Sequence, residues 1–309
     1  MGPGLSLPNR MAHPGPPPKV NNALPHPAAP AQLPMRLPMR LPMRLPSQRR
    51  PQACHRRLLP AAWALASAAL LSGCGPRPPW PVQWLAESPL PRQPEAALRQ
   101  CEARLGLAPE RAAPADATNF GERQGFDVYG RAVPNRPQLI VLHETVIGAA
   151  ETLRMFATPH PNDDDQASYH LLVDIGGQRL RVVNDDKRAY GAGMAAWGDM
   201  TVRIRPTSVG SINNLALHLG LESPADGRGD TASHSGYSDA QYRSAAAQVL
   251  LWQARFGIPL SRVTTHAAVD RSRSRYDPRS FRWARFDAAW QKAAKACGFE
   301  VYDTGRATL

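Results

Sequence analysis

Gln138-Leu139-Ile140-Val141-Leu142-His143-Glu144-Thr145 is the stretch on which the reading of the fold turns. Pro137 bounds it on one side, and after Gln138 four apolar positions, two of them β-branched, run without a polar break up to His143. A run this short and this apolar reads as a strand covered on both faces, of the kind found inside a sheet packed by helices. The polar triplet His143-Glu144-Thr145 closes it, so the strand delivers a histidine at its C-terminal end.

The segments around it have the periodicities of an α/β protein. Asn213–Glu222 alternates, with Leu215, Leu217, Leu219 and Leu221 on one face and Ala216, His218, Gly220 and Glu222 on the other. Ser168–Asp174 and Gln178–Val183 flank Ile175-Gly176-Gly177 and read as a hairpin. Arg262–His266 is a short strand that, like the first, ends in a histidine. Helical spacing predicts helices over Glu95–Leu107, Ala149–Ala157, Asp239–Phe256 and Trp283–Ala296. The third has the clearest ends: Ser238 as N-cap, Gln241 at the capping-box position, then Gly257 and Pro259. Its apolar stripe runs through Tyr242, Ala246, Val249 and Leu250. Strands and helices in mixed order predict a single α/β domain, a central mixed β-sheet flanked by helices.

Residues before about 95 do not belong to that domain. Residues 1–57 are Pro-rich, hold nine of the 37 Lys and Arg and none of the 25 Asp and Glu, and repeat MRLP three times from Met35. They read as a disordered basic leader unable to bury a core. Its length suits no signal n-region, so a true start downstream, at Met43, is expected. Without it the chain carries 28 basic against 25 acidic residues, so the net charge of +12 is not a nucleic-acid signal and no nucleic-acid partner is expected. Leu58–Leu71 is an uncharged apolar run of 14 after Arg49, Arg50, Arg56 and Arg57, the order of a secretory signal and too short for a membrane span. Leu71-Ser72-Gly73-Cys74 closes it in the manner of a bacterial lipobox, which implies lipidation at Cys74 and a lipid-anchored periplasmic protein. Residues 75–94 carry seven prolines and read as a tether of roughly 60 Å in polyproline II. No CxxC occurs, so a structural zinc held by four thiolates is not expected. Cys101 and Cys297, near the two ends of the globular part, read either as a bridge in an exported protein or as two buried thiols.

Two histidines end strands, His143 and His266, and Asp277 follows in a loop. Two histidines and a carboxylate with an open fourth position suit a hydrolytic zinc, although spacing alone argues weakly. The local motifs argue more strongly. Leu139–Thr145, then Ala167-Ser168-Tyr169-His170-Leu171-Leu172-Val173-Asp174 with Gly176-Gly177, then Thr265-His266, Arg275-Tyr276-Asp277-Pro278 and Phe281-Arg282-Trp283 resemble, in order, the motifs of the type 2 N-acetylmuramoyl-L-alanine amidases. These share a fold with the peptidoglycan-recognition proteins. The resemblance implies that residues 95–309 form a zinc amidase domain acting on peptidoglycan as a monomer, with His143, His266 and Asp277 as ligands. A non-catalytic peptidoglycan-binding module is the alternative. It implies Arg275, where the family has a Lys, as the cation beside the scissile carbonyl, and His170, Tyr190 and Asn214 on the substrate side. Two positions depart from the pattern. Ala189-Tyr190-Gly191-Ala192-Gly193 stands where the family has Trp-His-Ala-Gly, and His218 stands where it has its catalytic Glu. Glu222, ~13 Å further along the same strand face, Glu144 and His218 are the candidates for proton transfer. His160, His234 and Asp163-Asp164-Asp165 read as loop residues without a part in the site, and Arg271, Arg273, Arg275 and Arg279 as a basic face able to hold stem-peptide carboxylates.

Overall fold

The structure, a computed structural model, describes residues 91–299. The basic leader, the apolar run with Cys74 and the tether as far as residue 90 lie outside them.

In chain order the strands are β1 Arg111–Ala112, β2 Phe120–Glu122, β3 Leu139–Glu144, β4 Leu171–Val173, β5 Arg179–Arg181, β6 Lys187–Ala189, β7 Ala216–Leu221 and β8 Val263–Thr265. The α-helices are α1 Glu95–Arg104, α2 Ala149–Ala157, α3 Asp239–Phe256, α4 His266–Val269 and α5 Trp283–Cys297. Six strands form a mixed sheet in the order β1-β5-β4-β7-β3-β8, and β2 pairs with β6 separately. β3 lies parallel to both β7 and β8, and β4 pairs antiparallel with β5. This is the predicted α/β architecture.

The period-two pattern sorts the sheet into two faces. Ile140 and Leu142 of β3 with Leu217, Leu219 and Leu221 of β7 enter one core, shared with α1, α3 and α5. Leu139, Val141 and Ala216 enter another, on the opposite side. His143, His218 and Gly220 share that second face by alternation. The face that β7 turns away from its leucines is thus small or polar, leaving room beside His143.

Helix α3 departs from a one-stripe surface helix: twelve of its 18 residues are buried. It lies between the sheet and the pair α1 and α5, so a second face needs cover as well. Each of three buried glutamines on it finds at least one partner. Gln248 Oε1 accepts from Arg179 Nη1 (2.8 Å), Gln253 Oε1 from Trp290 Nε1 (2.7 Å), and Gln241 Nε2 donates to the Glu222 carbonyl (2.9 Å). Its ends follow the sequence reading, with Ser238 and Gln241 forming a capping box and Gly257 a left-handed cap at φ 73°.

Cys101 of α1 and Cys297 of α5 form a disulfide across 196 residues of chain, which decides between the two readings of these thiols. It joins the first and last helices of the described residues over the core that α3 fills.

Candidate metal centre and substrate groove

The sheet register assembles the centre. β8 pairs with β3 at Leu142↔Thr265, so His143 and His266, each the next residue, leave adjacent strand ends. His266 opens α4, whose N-cap Thr265 accepts from Ala268 N (3.2 Å) through its hydroxyl. The ligand loop then folds back, and Ala267 N donates to the Asp277 carbonyl (3.0 Å). His266 Nδ1 lies 3.0 Å from Asp277 Oδ1, and His143 Nδ1 lies 3.4 Å from Asp277 Oδ2. One ligand atom from each of His143, His266 and Asp277 falls within 4.8 Å of the others, as a metal ion needs.

Protonation favours the same use. Burial pulls the His143 imidazole down to about 4, keeping it neutral. For Asp277 burial acts upward, but contacts from His143 and His266 outweigh it and hold the carboxyl well below the usual carboxylate range. Neutral imidazoles and a carboxylate are the forms that bind metal. His143 Nδ1 is buried and has no hydrogen-bond partner, although it faces the carboxylate. An orphaned, buried nitrogen is costly unless something else takes its lone pair. This donor set therefore fits a zinc-type ion.

The cluster opens on a groove of about 850 Å³ lined by His266, Asp277, Arg275, Tyr169, Tyr190 and Arg188, among others, within the range of small-molecule sites. Arg275 is exposed on its rim, and its backbone N–H donates to Asp270 Oδ2 (3.0 Å). Tyr190 lines the wall with the Arg188 guanidinium 5.3 Å from its ring centre. Tyr169, quoted above only as part of a motif, is the residue that sequence reasoning missed. Its ring stacks on His143 at 4.6 Å and 22°, and its hydroxyl donates to the Glu144 carbonyl (3.3 Å). Gly220, paired with His143 across β3 and β7, makes the space: a Cβ there would lie 2.5 Å from the Tyr169 ring. A strand glycine opposite a motif tyrosine is the signal that could have located it.

The other expected residues lie elsewhere. Glu222 is not brought to the cluster. Its carboxylate accepts from Ala149 N at the start of α2 and from Ile175 N of the β4–β5 hairpin, each at 2.9 Å. Glu144 points to the helix-covered face, as alternation requires, and its fully buried carboxylate is bound by Arg279 Nε, Tyr237 Oη (2.7 Å) and His234 Nε2 (3.0 Å). His234 and Arg279 are therefore interior partners of Glu144 rather than loop and basic-face residues; Arg279 also binds backbone carbonyls of the 227–231 loop. Asn214 and His170, expected on the substrate side, are buried and engaged. Asn214 Nδ2 donates to the Gln124 and Pro134 carbonyls, and its Oδ1 accepts from Gln124 N. His170 accepts at Nδ1 from His218 N (3.0 Å) and lies 3.1 Å at Nε2 from the Lys187 carbonyl. His218 is fully buried, with Nδ1 2.9 Å from His143 Nε2. His160 contacts Asn119 Oδ1 (3.1 Å), and Asp163–Asp165 form an exposed turn, Asp163 paired with Arg205 at 3.0 Å.

A search of curated proteins returned no match. Among solved structures, a selenomethionine derivative of AmpD is 24% identical with a TM-score of 0.42, over 59% of this chain and 95% of that one. Citrobacter freundii AmpD is 22% identical with a TM-score of 0.40, over 60% and 92%. AmiD of E. coli, in complex with the substrate anhydro-N-acetylmuramic acid-L-Ala-D-γ-Glu-L-Lys, is 20% identical with a TM-score of 0.40, over 55% and 65%. The family profile described as N-acetylmuramoyl-L-alanine amidase matches residues 133–280, a span that begins just before β3 and ends just after Asp277. Over residues 133–280, just under half of its length, the chain is thus similar to the N-acetylmuramoyl-L-alanine amidase family.

Proposed function

We propose that this chain hydrolyses the amide between N-acetylmuramic acid and L-alanine in peptidoglycan, using zinc held by His143, His266 and Asp277. The observation that carries the reading is the convergence of these three residues, with an orphaned His143 Nδ1, beside an open groove that His266 and Asp277 line. Bound there, zinc supplies Lewis acidity toward a carbonyl and acidifies water. The chain's own residues supply the rest. Arg275 extends its cation at the groove rim, where it stabilises the negative charge that develops on the scissile oxygen. Tyr169 and Tyr190 form aromatic walls that orient the muramyl peptide and limit water at the centre. Glu222 and Glu144 take no part in proton transfer in this reading, because their carboxylates are already occupied by backbone and buried side-chain donors.

The Cys101–Cys297 disulfide supports an oxidising compartment. Together with the apolar run and the Leu71–Cys74 sequence, it supports our proposal that the protein is periplasmic and anchored by a lipid on Cys74. Loss of fatty-acid labelling in Cys74→Ser checks this, and labelling that persists would refute it.

Incubation of the purified chain with a muramyl peptide, followed by mass spectrometry, tests the activity. Release of a stem peptide with a free L-alanine amine, abolished in His266→Ala, is the expected result. Binding to cell walls by zinc-loaded protein without release would favour the non-catalytic module instead.

A further inference from the structure

Resting on the metal site proposed above, we propose that His218 is a positioning residue. It accepts the Nε2 proton of His143 and thereby holds that ring in the tautomer whose Nδ1 lone pair faces His266 and Asp277.

The argument is one of counting donors. A neutral imidazole carries one N–H and one lone pair. His143 Nε2 lies 2.9 Å from His218 Nδ1, and His143 Nδ1 faces Asp277 Oδ2 at 3.4 Å with no hydrogen bond of its own. With the proton on Nε2 and donated to His218, the lone pair of Nδ1 points at the cluster. In the opposite tautomer an N–H would point there, and His143 could not serve as a ligand. His218 thus selects the competent form, the part that outer partners play for metal-bound histidines.

The fold holds His218 to this task. It sits mid-strand on β7, diagonal to His143 on the same face, with Val141 as its register partner. Its backbone N–H donates to His170 Nδ1 (3.0 Å), and the two rings stack at 5.7 Å and 15°. On the other side the backbone of Gly191 passes so close that a Cβ there would lie 2.5 Å from His218 Cγ and Nδ1. Any larger residue would displace the ring, which gives Gly191 its place in the Tyr190-Gly191-Ala192 segment. His218 is fully buried and does not line the groove. It acts through His143, not on substrate.

Zinc affinity of the full-length chain, measured by competition with a chromogenic chelator, tests the proposal through two variants. His218→Leu keeps an apolar, strand-compatible side chain but removes the acceptor. His218→Asn restores an acceptor, because Asn Oδ1 takes the position of His Nδ1. Zinc dissociation constants about 10–100-fold higher in His218→Leu, with recovery in His218→Asn and matching changes in the visible spectrum of the cobalt-substituted proteins, are expected. Circular dichroism establishes folding, and His218→Ala replaces the Leu variant should that fail to fold. Unchanged affinity in the acceptor-less variant, or an Asn variant as weak as it, overturns the proposal. A wild-type chain that binds no zinc overturns the metal site itself. Binding that is lost in His266→Ala but unaffected in His218→Leu leaves the site standing and removes only the positioning role.

Discussion

Glu222 shows how much of a residue's role lies in partners that are distant in sequence. Its place just past β7, on the His218 side, was legible from the alternation, but its task was not, because Ala149 N and Ile175 N belong to other segments. The opposite holds for His143, His266 and Asp277, whose neighbours in sequence form recognisable motifs and whose convergence follows from the β3–β8 register. Glu222→Ala is accordingly predicted to lower stability by about 1 kcal/mol, the net worth of hydrogen bonds at part-buried and exposed N–H groups, while leaving zinc binding and kcat near wild type. Urea unfolding and kinetics check this; a folded variant with kcat reduced a hundredfold would restore Glu222 to the chemistry. Titration makes a second prediction at this scale. Burial holds His170 neutral well below its ordinary value. A histidine whose folded pKa is depressed binds more protons when unfolded, so stability rises with pH and falls as pH drops below about 6.5. Buried His143, pulled down to about 4, and His218, pulled down by burial, act in the same direction. The urea midpoint of metal-free protein should be level above pH 7 and fall steadily from pH 6.5 towards 4. A flat profile across that window would contradict the burial account.

Among the elements, α3 was legible at its ends and not in its surroundings. Capping residues act locally, so Ser238, Gln241 and Gly257 announce the boundaries. That α1 and α5 would cover a second face depends on packing between segments some 200 residues apart, and this made an apparent single stripe into a helix buried on most sides. Strand β7 was legible for a different reason: period two separates its three leucines from His218 and Gly220 without reference to any other segment. The Cys101–Cys297 bridge fastens the α1–α5 contact. Closing a loop of this length stabilises by about 5 kcal/mol in the chain-entropy treatment, before any native strain. Cys101→Ser should therefore lower the thermal midpoint by roughly 10 °C or more, and reductant should bring the wild type to the same value. A wild-type midpoint insensitive to reductant, with the thiols shown to be reduced, would argue that the bridge contributes nothing.

At the scale of the whole molecule, sheet, helices and groove place two histidines and one aspartate where a metal and a substrate can meet. The fold class was legible because each strand and helix carried its own period. The groove walls were less so, since Tyr169 and Tyr190 come from separate loops and only their three-dimensional meeting makes a surface. The central claim is that the three residues hold the zinc on which hydrolysis depends. Stripping the chain with a chelator and returning zinc in measured steps, while following muramyl-peptide cleavage, tests it most directly. Activity should vanish on stripping, rise in proportion to added zinc and level off at one equivalent per chain, with no recovery in Asp277→Ala. Full cleavage by metal-free protein, or undiminished recovery in Asp277→Ala, would contradict it.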